Sequence, residues 1–203
     1  LLLLHGYPQS HILWRKIAPL FAENYTVICS DLRGYGDSDK PESDKSHLAY
    51  SKKNMGLDQN ELMKKLGFNE YFLVGHDRGG RVAHRMAIDY KENIKKISVL
   101  DIVPTSHVFK NTNALLARRY YHWFFLIQSF PHPETMIGND PEYYIRSKLK
   151  MWGANDEYLT EDVLQEYLRC FTPETIHASC EDYRAGASID LKHHEEDFHK
   201  KIS

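Results

Sequence analysis

Asp77 is the residue around which a reaction can be built. It lies in Leu73-Val74-Gly75-His76-Asp77-Arg78-Gly79-Gly80, where an apolar, strand-like run passes into a helical one through a glycine-dense turn. A Gly-X-nucleophile-X-Gly pentapeptide in that setting makes a sharp, strained elbow that lifts the central side chain above the strand end. Its neighbours must be small, and Gly75, Gly79 and Gly80 are. Serine at the centre would suit acyl transfer, whereas aspartate implies another reaction. A carboxylate that displaces a leaving group from saturated carbon forms an ester, which water then cleaves at the acyl carbon. The bond attacked is therefore carbon–halogen or an epoxide. The competing reading is that Asp77 only caps a helix, a role aspartate fills well.

Cleaving such an ester needs donors for the oxyanion. The turn His5-Gly6-Tyr7-Pro8 can offer the backbone N–H of Tyr7, and the backbone N–H of Arg78 is the second expected donor. Arg78 and Arg81, three residues apart on one helix face, suit a substrate carboxylate, which guanidinium binds bidentately. They would also offset repulsion between an anionic substrate and Asp77. The alternative, that an arginine here merely pairs with a nearby acid, weighs more on Arg81 than on Arg78. Asp101 closes the apolar run Ile97-Ser98-Val99-Leu100. An acid there can orient a histidine or simply make a turn.

These residues need a scaffold, and the hydrophobic pattern supplies one. Short apolar runs at residues 1–4, 25–29, 71–74 and 97–100 read as buried strands. Helical spacing fills 12–22, 50–66 and the stretch from Arg78 to about Tyr90. Strict alternation predicts a parallel sheet covered on both faces. The rhythm stops after Pro104. From 106 to 188 the pattern is helical and rich in aromatics, which predicts an inserted helical cap. Residues 189–203 read as a helix returning to the core, and 1–105 as the first part of that core.

Composition narrows the function. The 42% hydrophobic and 27% charged content of the 203 residues is that of a globular chain. A net charge of -2 without a basic cluster argues against nucleic acid as a partner. No apolar run approaches a membrane span. Cys29, Cys170 and Cys180 have neither metal nor redox spacing and read as small buried hydrophobes, so a cytoplasmic, disulfide-free protein is expected. No ligand cluster suggests a metal, and the chemistry calls for no cofactor.

Taken in order, the motifs resemble the fluoroacetate (haloacetate) dehalogenases of the α/β-hydrolase family. The resemblance runs nearly end to end and rests on six stretches. They are His5-Gly6-Tyr7-Pro8-Gln9, Asp31 to Ser38, Gly75 to Arg81, Leu100 to Thr105, Tyr121-His122-Trp123-Phe124-Phe125-Leu126 and Ser179 to Ala185. Asp31 to Ser38 is common across α/β-hydrolases, while Gly75 to Arg81 and the last two stretches discriminate more. Epoxide hydrolases and haloalkane dehalogenases usually carry tryptophan directly after the nucleophile, where this chain has Arg78. The resemblance implies Asp77 as nucleophile, Asp101 as the acid of the triad, and Arg78 and Arg81 on the carboxylate of a small haloacid. It also implies His122, Trp123 and Tyr183 as fluoride donors, and a homodimer. Imidazole N–H, indole N–H and phenol O–H can each donate to a small hard anion. Without it, the aromatic stretch would read as packed cap core, as Phe124, Phe125 and Leu126 still do.

The same resemblance implies an α/β-hydrolase fold truncated at both ends. The catalytic histidine would follow the last strand, beyond Ser203, and the 203 residues alone would be inactive and unstable. His193, His194 and His199 read as solvated surface residues. Two rival functions stay open. An epoxide hydrolase would use cap tyrosines, with Tyr120, Tyr121 and Tyr183 as candidates, and a non-catalytic small-molecule receptor would need no nucleophile.

Overall fold

A computed structural model describes residues 1–153 and 158–202, which leaves residues 154–157 of the expected cap and residue 203 outside the described residues. Four parallel strands form one sheet in the order β2-β1-β3-β4. They are β1 (Leu2–Leu4), β2 (Ile28–Ser30), β3 (Tyr71–His76) and β4 (Ile94–Leu100). Helix α2 (Lys52–Lys65) packs on α3 (Arg78–Asp89), and α3 packs back on β3 and β4. Leu2, Leu4 and Leu73 of the sheet are buried with Met55, Met63, Val82 and Met86 of these helices. Each such side chain contributes on the order of 1.5–3 kcal/mol by leaving water.

Two expected elements differ in extent. The 12–22 helix is a 3-10 turn, His11–Lys16, followed by the short α1 (Ala18–Ala22). Pro19 has no N–H to give and clashes with a preceding helical turn, so α-helix can only start beside it. Strand β4 starts at Ile94 rather than Ile97, because Ile94 pairs with Tyr71 across an irregularity in register. Lys95 and Lys96 hide that start in the sequence, although Lys95 stands 3.0 Å from Glu70 on the neighbouring side of the sheet.

Beyond β4, the described residues up to 186 form helices: α4 (Thr105–Lys110), α5 (Ala114–Arg119), α6 (Tyr121–Leu126), α7 (His132–Gly138), α8 (Pro141–Trp152), α9 (Glu161–Cys170) and α10 (Pro173–Gly186). Helix α11 (Ile189–Glu196) follows and packs on α10 and α4. Local chemistry punctuates the run. Asn113, Asp140 and Thr172 each accept a hydrogen bond from the first turn of the helix they cap, and proline follows two of them. Trp123, Leu126, Ile145, Leu149 and Tyr183 of these helices join the buried cluster of the sheet, so one core runs under both layers.

Candidate active site

Strand register brings the chemistry together. Leu4 pairs with Gly75, and His76 pairs with Leu100. The turns that leave β1, β3 and β4 therefore emerge side by side at the carboxyl edge of the sheet, carrying Tyr7, Asp77 and Asp101. Such an edge is where open α/β sheets bind ligands.

Asp77 has φ 48° and ψ −115°, a conformation that non-glycine residues rarely adopt. Its carboxylate makes no capping bond to α3. Instead Oδ1 accepts the backbone N–H of Tyr7 at 2.8 Å. The capping alternative thus finds no hydrogen bond to rest on. Gly6 permits this approach, since a Cβ there would stand 2.5 Å from the Cβ of Asp77. The N–H of Arg78 opens α3, where a helix has no internal acceptor to offer it. Asp101 also has positive φ, 55°, and lines the same cavity as Asp77.

That cavity, of about 650 Å³, is walled by Asp77, Arg81, His122, Trp123, Tyr183 and Trp152 among others. His122 and Tyr183 are buried, and both His122 Nδ1 and the Tyr183 hydroxyl lack a partner among the described residues. The two rings stand edge to face at 5.8 Å, and Trp123 meets Tyr183 in the same way at 5.8 Å. Burial pulls the His122 pKa down to about 3, helped by Lys148, Arg78 and Arg81 and opposed by Asp77. Burial, then the Asp77 charge, keeps the Tyr183 phenol protonated far above its usual range. Both are therefore neutral donors near neutrality.

The two arginines separate, contrary to the expected ranking. Arg78 is the one paired with an acid: its Nε donates to Asp182 Oδ2 at 2.7 Å and its Nη2 to Oδ1 at 2.7 Å. Lys52 and the Tyr35 hydroxyl, the latter at 2.7 Å, share that carboxylate. Burial alone would raise the Asp182 carboxyl, but the Arg78 and Lys52 charges outweigh it and hold it below the usual carboxylate range. Tyr183 covers the Arg78 guanidinium at 4.2 Å. Arg78 does not line the cavity.

Arg81 does line it, and has no ion pair among the described residues. Its Nη1 donates to the Val103 carbonyl at 2.7 Å and to Thr105 Oγ1 at 3.1 Å, while its buried Nε has no partner. Trp123 lies 4.4 Å from its guanidinium carbon. Burial, then the Arg78 charge, lowers its pKa to about 10, so it remains a cation near neutrality. The sequence reading sets both on a substrate carboxylate and gives the ion-pair alternative more weight at Arg81 than at Arg78. The reversal arises because α10 approaches α3 on the side of Arg78, which periodicity along α3 cannot reveal.

Of the cap tyrosines, Tyr120 and Tyr183 reach the cavity wall, whereas Tyr121 accepts a hydrogen bond from Lys148 instead. Sequence reasoning missed Asp182 as an ion-pair partner, and it missed Trp152 and Lys148. It also placed His193 and His194 in solvent. Both are half-buried beside His84 on a smaller cavity, with His193 Nδ1 shielded, because α11 lies against α4. His199 is exposed, and the three cysteines are free thiols. No group of three or more metal-ligating side chains occurs among the described residues, and none of their helices is long and apolar enough to cross a membrane.

Residues 1–177 match the family model of the alpha/beta hydrolase fold. A fluoroacetate dehalogenase from Burkholderia sp is 48% identical over 95% of this chain, which spans 64% of that relative's length. A soluble epoxide hydrolase from Corynebacterium sp. (strain C12) is 33% identical over 95% of this chain and 67% of its own. A crystal structure from Nostoc sp PCC 7120, assigned to the alpha/beta hydrolases, superposes with a TM-score of 0.97 and 54% identity, covering 99% of this chain and 69% of that one.

Proposed function

The chain belongs to the α/β-hydrolase family, and from that premise we propose that it is the greater part of a hydrolytic haloacetate dehalogenase. The observation that carries this reading is Arg81, a buried cation without a carboxylate partner among the described residues, on the wall of the cavity that holds Asp77. A buried charge without a partner is costly. The carboxylate of a haloacid removes that cost, and an epoxide cannot.

In this mechanism Arg81 grips the substrate carboxylate, while Arg78 stays committed to Asp182 behind the cavity wall. Asp77 attacks the carbon that bears the halogen. The new carbon–oxygen bond forms as the carbon–halogen bond breaks, and the electron pair leaves with the halide. His122, Trp123 and Tyr183 donate hydrogen bonds to it. A histidine oriented by Asp101, which the resemblance puts after residue 203, takes a proton from the water that opens the ester. The backbone N–H groups of Tyr7 and Arg78 hold the oxyanion; as it collapses the acyl carbon–oxygen bond breaks, the leaving alkoxide takes the proton back from the histidine, and the 2-hydroxy acid departs with Asp77 restored as a carboxylate.

The test is halide release from fluoroacetate and chloroacetate by the full-length protein, with Asp77→Ala as control. Release that disappears in the control supports the reading. A second reading, epoxide hydrolysis, draws on the unpartnered Tyr183 hydroxyl and on Tyr120 beside the cavity. Turnover of a neutral epoxide without halide release would favour it and overturn the first.

A further inference from the structure

Six lysine or arginine side chains are buried among the described residues: Lys52, Arg78, Arg81, Arg85, Lys148 and Arg184. Four of them meet carboxylates. Lys52 and Arg78 share Asp182, Arg85 takes Asp89 and Asp197, and Arg184 takes Glu134 and Glu181. Arg81 and Lys148 have none. The substrate carboxylate accounts for Arg81; nothing in that mechanism accounts for Lys148.

Lys148 lies on α8 with no exposed surface. Its ammonium donates to the Tyr121 hydroxyl and stands 3.8 Å from the Tyr121 ring, 5.2 Å from that of Tyr144 and 5.7 Å from that of Trp152. Trp152 is cavity wall, and its ring lies 4.7 Å from that of His122. The ammonium is thus one aromatic ring behind the His122 side of the cavity. Among the described residues the neighbouring helices send it no counter-ion. Glu134 of α7 is held by Arg184 and His177, Glu161 of α9 by Arg146, and Glu166 of α9 by Arg169. Asp140 caps α8 itself, and Asp162 is exposed. Among the described residues the titratable groups that face Lys148 are Tyr121, Tyr144 and His122, and none of these is a carboxylate.

The displacement moves a negative charge across the cavity. It starts on Asp77, near Arg81, and ends on the halide beside His122, Trp123 and Tyr183. Those three are neutral donors, and of the cations nearest them Arg78 is committed to Asp182 and Arg81, over Trp123, to the substrate carboxylate, which leaves Lys148 as the uncommitted charge on that side. We propose that Lys148 supplies that charge through space, and is the residue that makes the cap side of the site selective for an anionic leaving group. The inference rests on the dehalogenase reading.

The experiment is chloride binding to the full-length protein, read from tryptophan fluorescence, since Trp123 and Trp152 both border the cavity. Lys148→Met should weaken chloride binding on the order of 20-fold, the size expected for one charge roughly 9 Å away at an effective dielectric of about 20. Lys148→Arg should restore most of it. Burial lowers the Lys148 pKa to about 8. Chloride affinity of the unsubstituted protein should therefore fall as pH rises past that value, because the ammonium loses its charge. Unchanged affinity in a folded Lys148→Met protein overturns the proposal. So does an affinity that stays flat from about pH 6.5 to about pH 9.5, a result that needs no variant to fold. Chloride binding and halide release that persist without Lys148 remove this inference alone. A protein that neither binds chloride nor releases halide removes the dehalogenase reading and this inference with it.

Discussion

Arg78 and Asp182 form a bidentate ion pair shut off from solvent, with Nε to Oδ2 and Nη2 to Oδ1 both at 2.7 Å. One partner directly follows Asp77 and the other directly precedes Tyr183 in sequence. Elbow and cap helix are thereby fastened together at the residues next to their functional side chains. The charges are also balanced locally, because Lys52 joins Asp182 and stands 3.6 Å from Asp190. Arg81 is left as the cation that faces Asp77.

Breaking this pair from one side leaves a buried charge uncompensated. Asp182→Ala strands Arg78 and Lys52 together and should cost about 3–5 kcal/mol of stability, measured by urea unfolding. A cost under about 1 kcal/mol, the level of an exposed pair, would contradict the buried arrangement.

Arg81→Met should behave in the opposite manner. No carboxylate loses its partner, so stability should stay within about 1 kcal/mol of the parent or rise slightly. Affinity for a haloacid should fall on the order of 100-fold, the size of one charge-assisted hydrogen-bonding contact. Comparing KM and unfolding curves of the same variant checks both halves.

Acid sensitivity has a definite sign. Burial lowers the pKa of His5 and, to about 3, that of His122, both from an ordinary 6.5. In that window the unfolded chain binds more protons than the folded one, so stability rises with pH and is lost on acidification. Each histidine contributes at most about 1.4 kcal/mol per pH unit there. Thermal unfolding at pH values between about 4 and 7 should show this slope, and His122→Asn should reduce it. An unchanged slope would place the effect elsewhere.

Gly6→Ala tests the fit around the nucleophile. The added methyl would lie 2.5 Å from the Asp77 Cβ and 2.7 Å from its Oδ1, so the elbow must shift. Turnover should drop by about 100-fold or more, with a stability loss of about 1–3 kcal/mol. Steady-state kinetics together with a melting curve separate the two effects.

Much of the site is legible in the sequence because it sits at strand ends. Once β1, β3 and β4 are parallel neighbours, the residues after Leu4, His76 and Leu100 must converge, and these carry Tyr7, Asp77 and Asp101. Partner choice across the cap is not legible in that way. Which arginine of α3 meets an acid depends on how α10 crosses it, and neither helix's periodicity encodes that crossing. Lys148 left a faint trace: it shares the helical face of Ile145 and Leu149, both buried. A lysine on an apolar face ordinarily snorkels to water, and only tertiary packing shows that this one is enclosed.

The central claim is that Asp77 becomes an ester. The most direct test is a single turnover of the full-length protein with a haloacid in oxygen-18 water, followed by mass analysis of the peptide carrying Asp77. Water that opens the ester at its acyl carbon leaves its oxygen on the enzyme, so one oxygen-18 atom should appear in the Asp77 carboxylate and none in the first product. Label in the product, with the Asp77 peptide unlabelled, would mean that water attacks the substrate directly and would contradict the account.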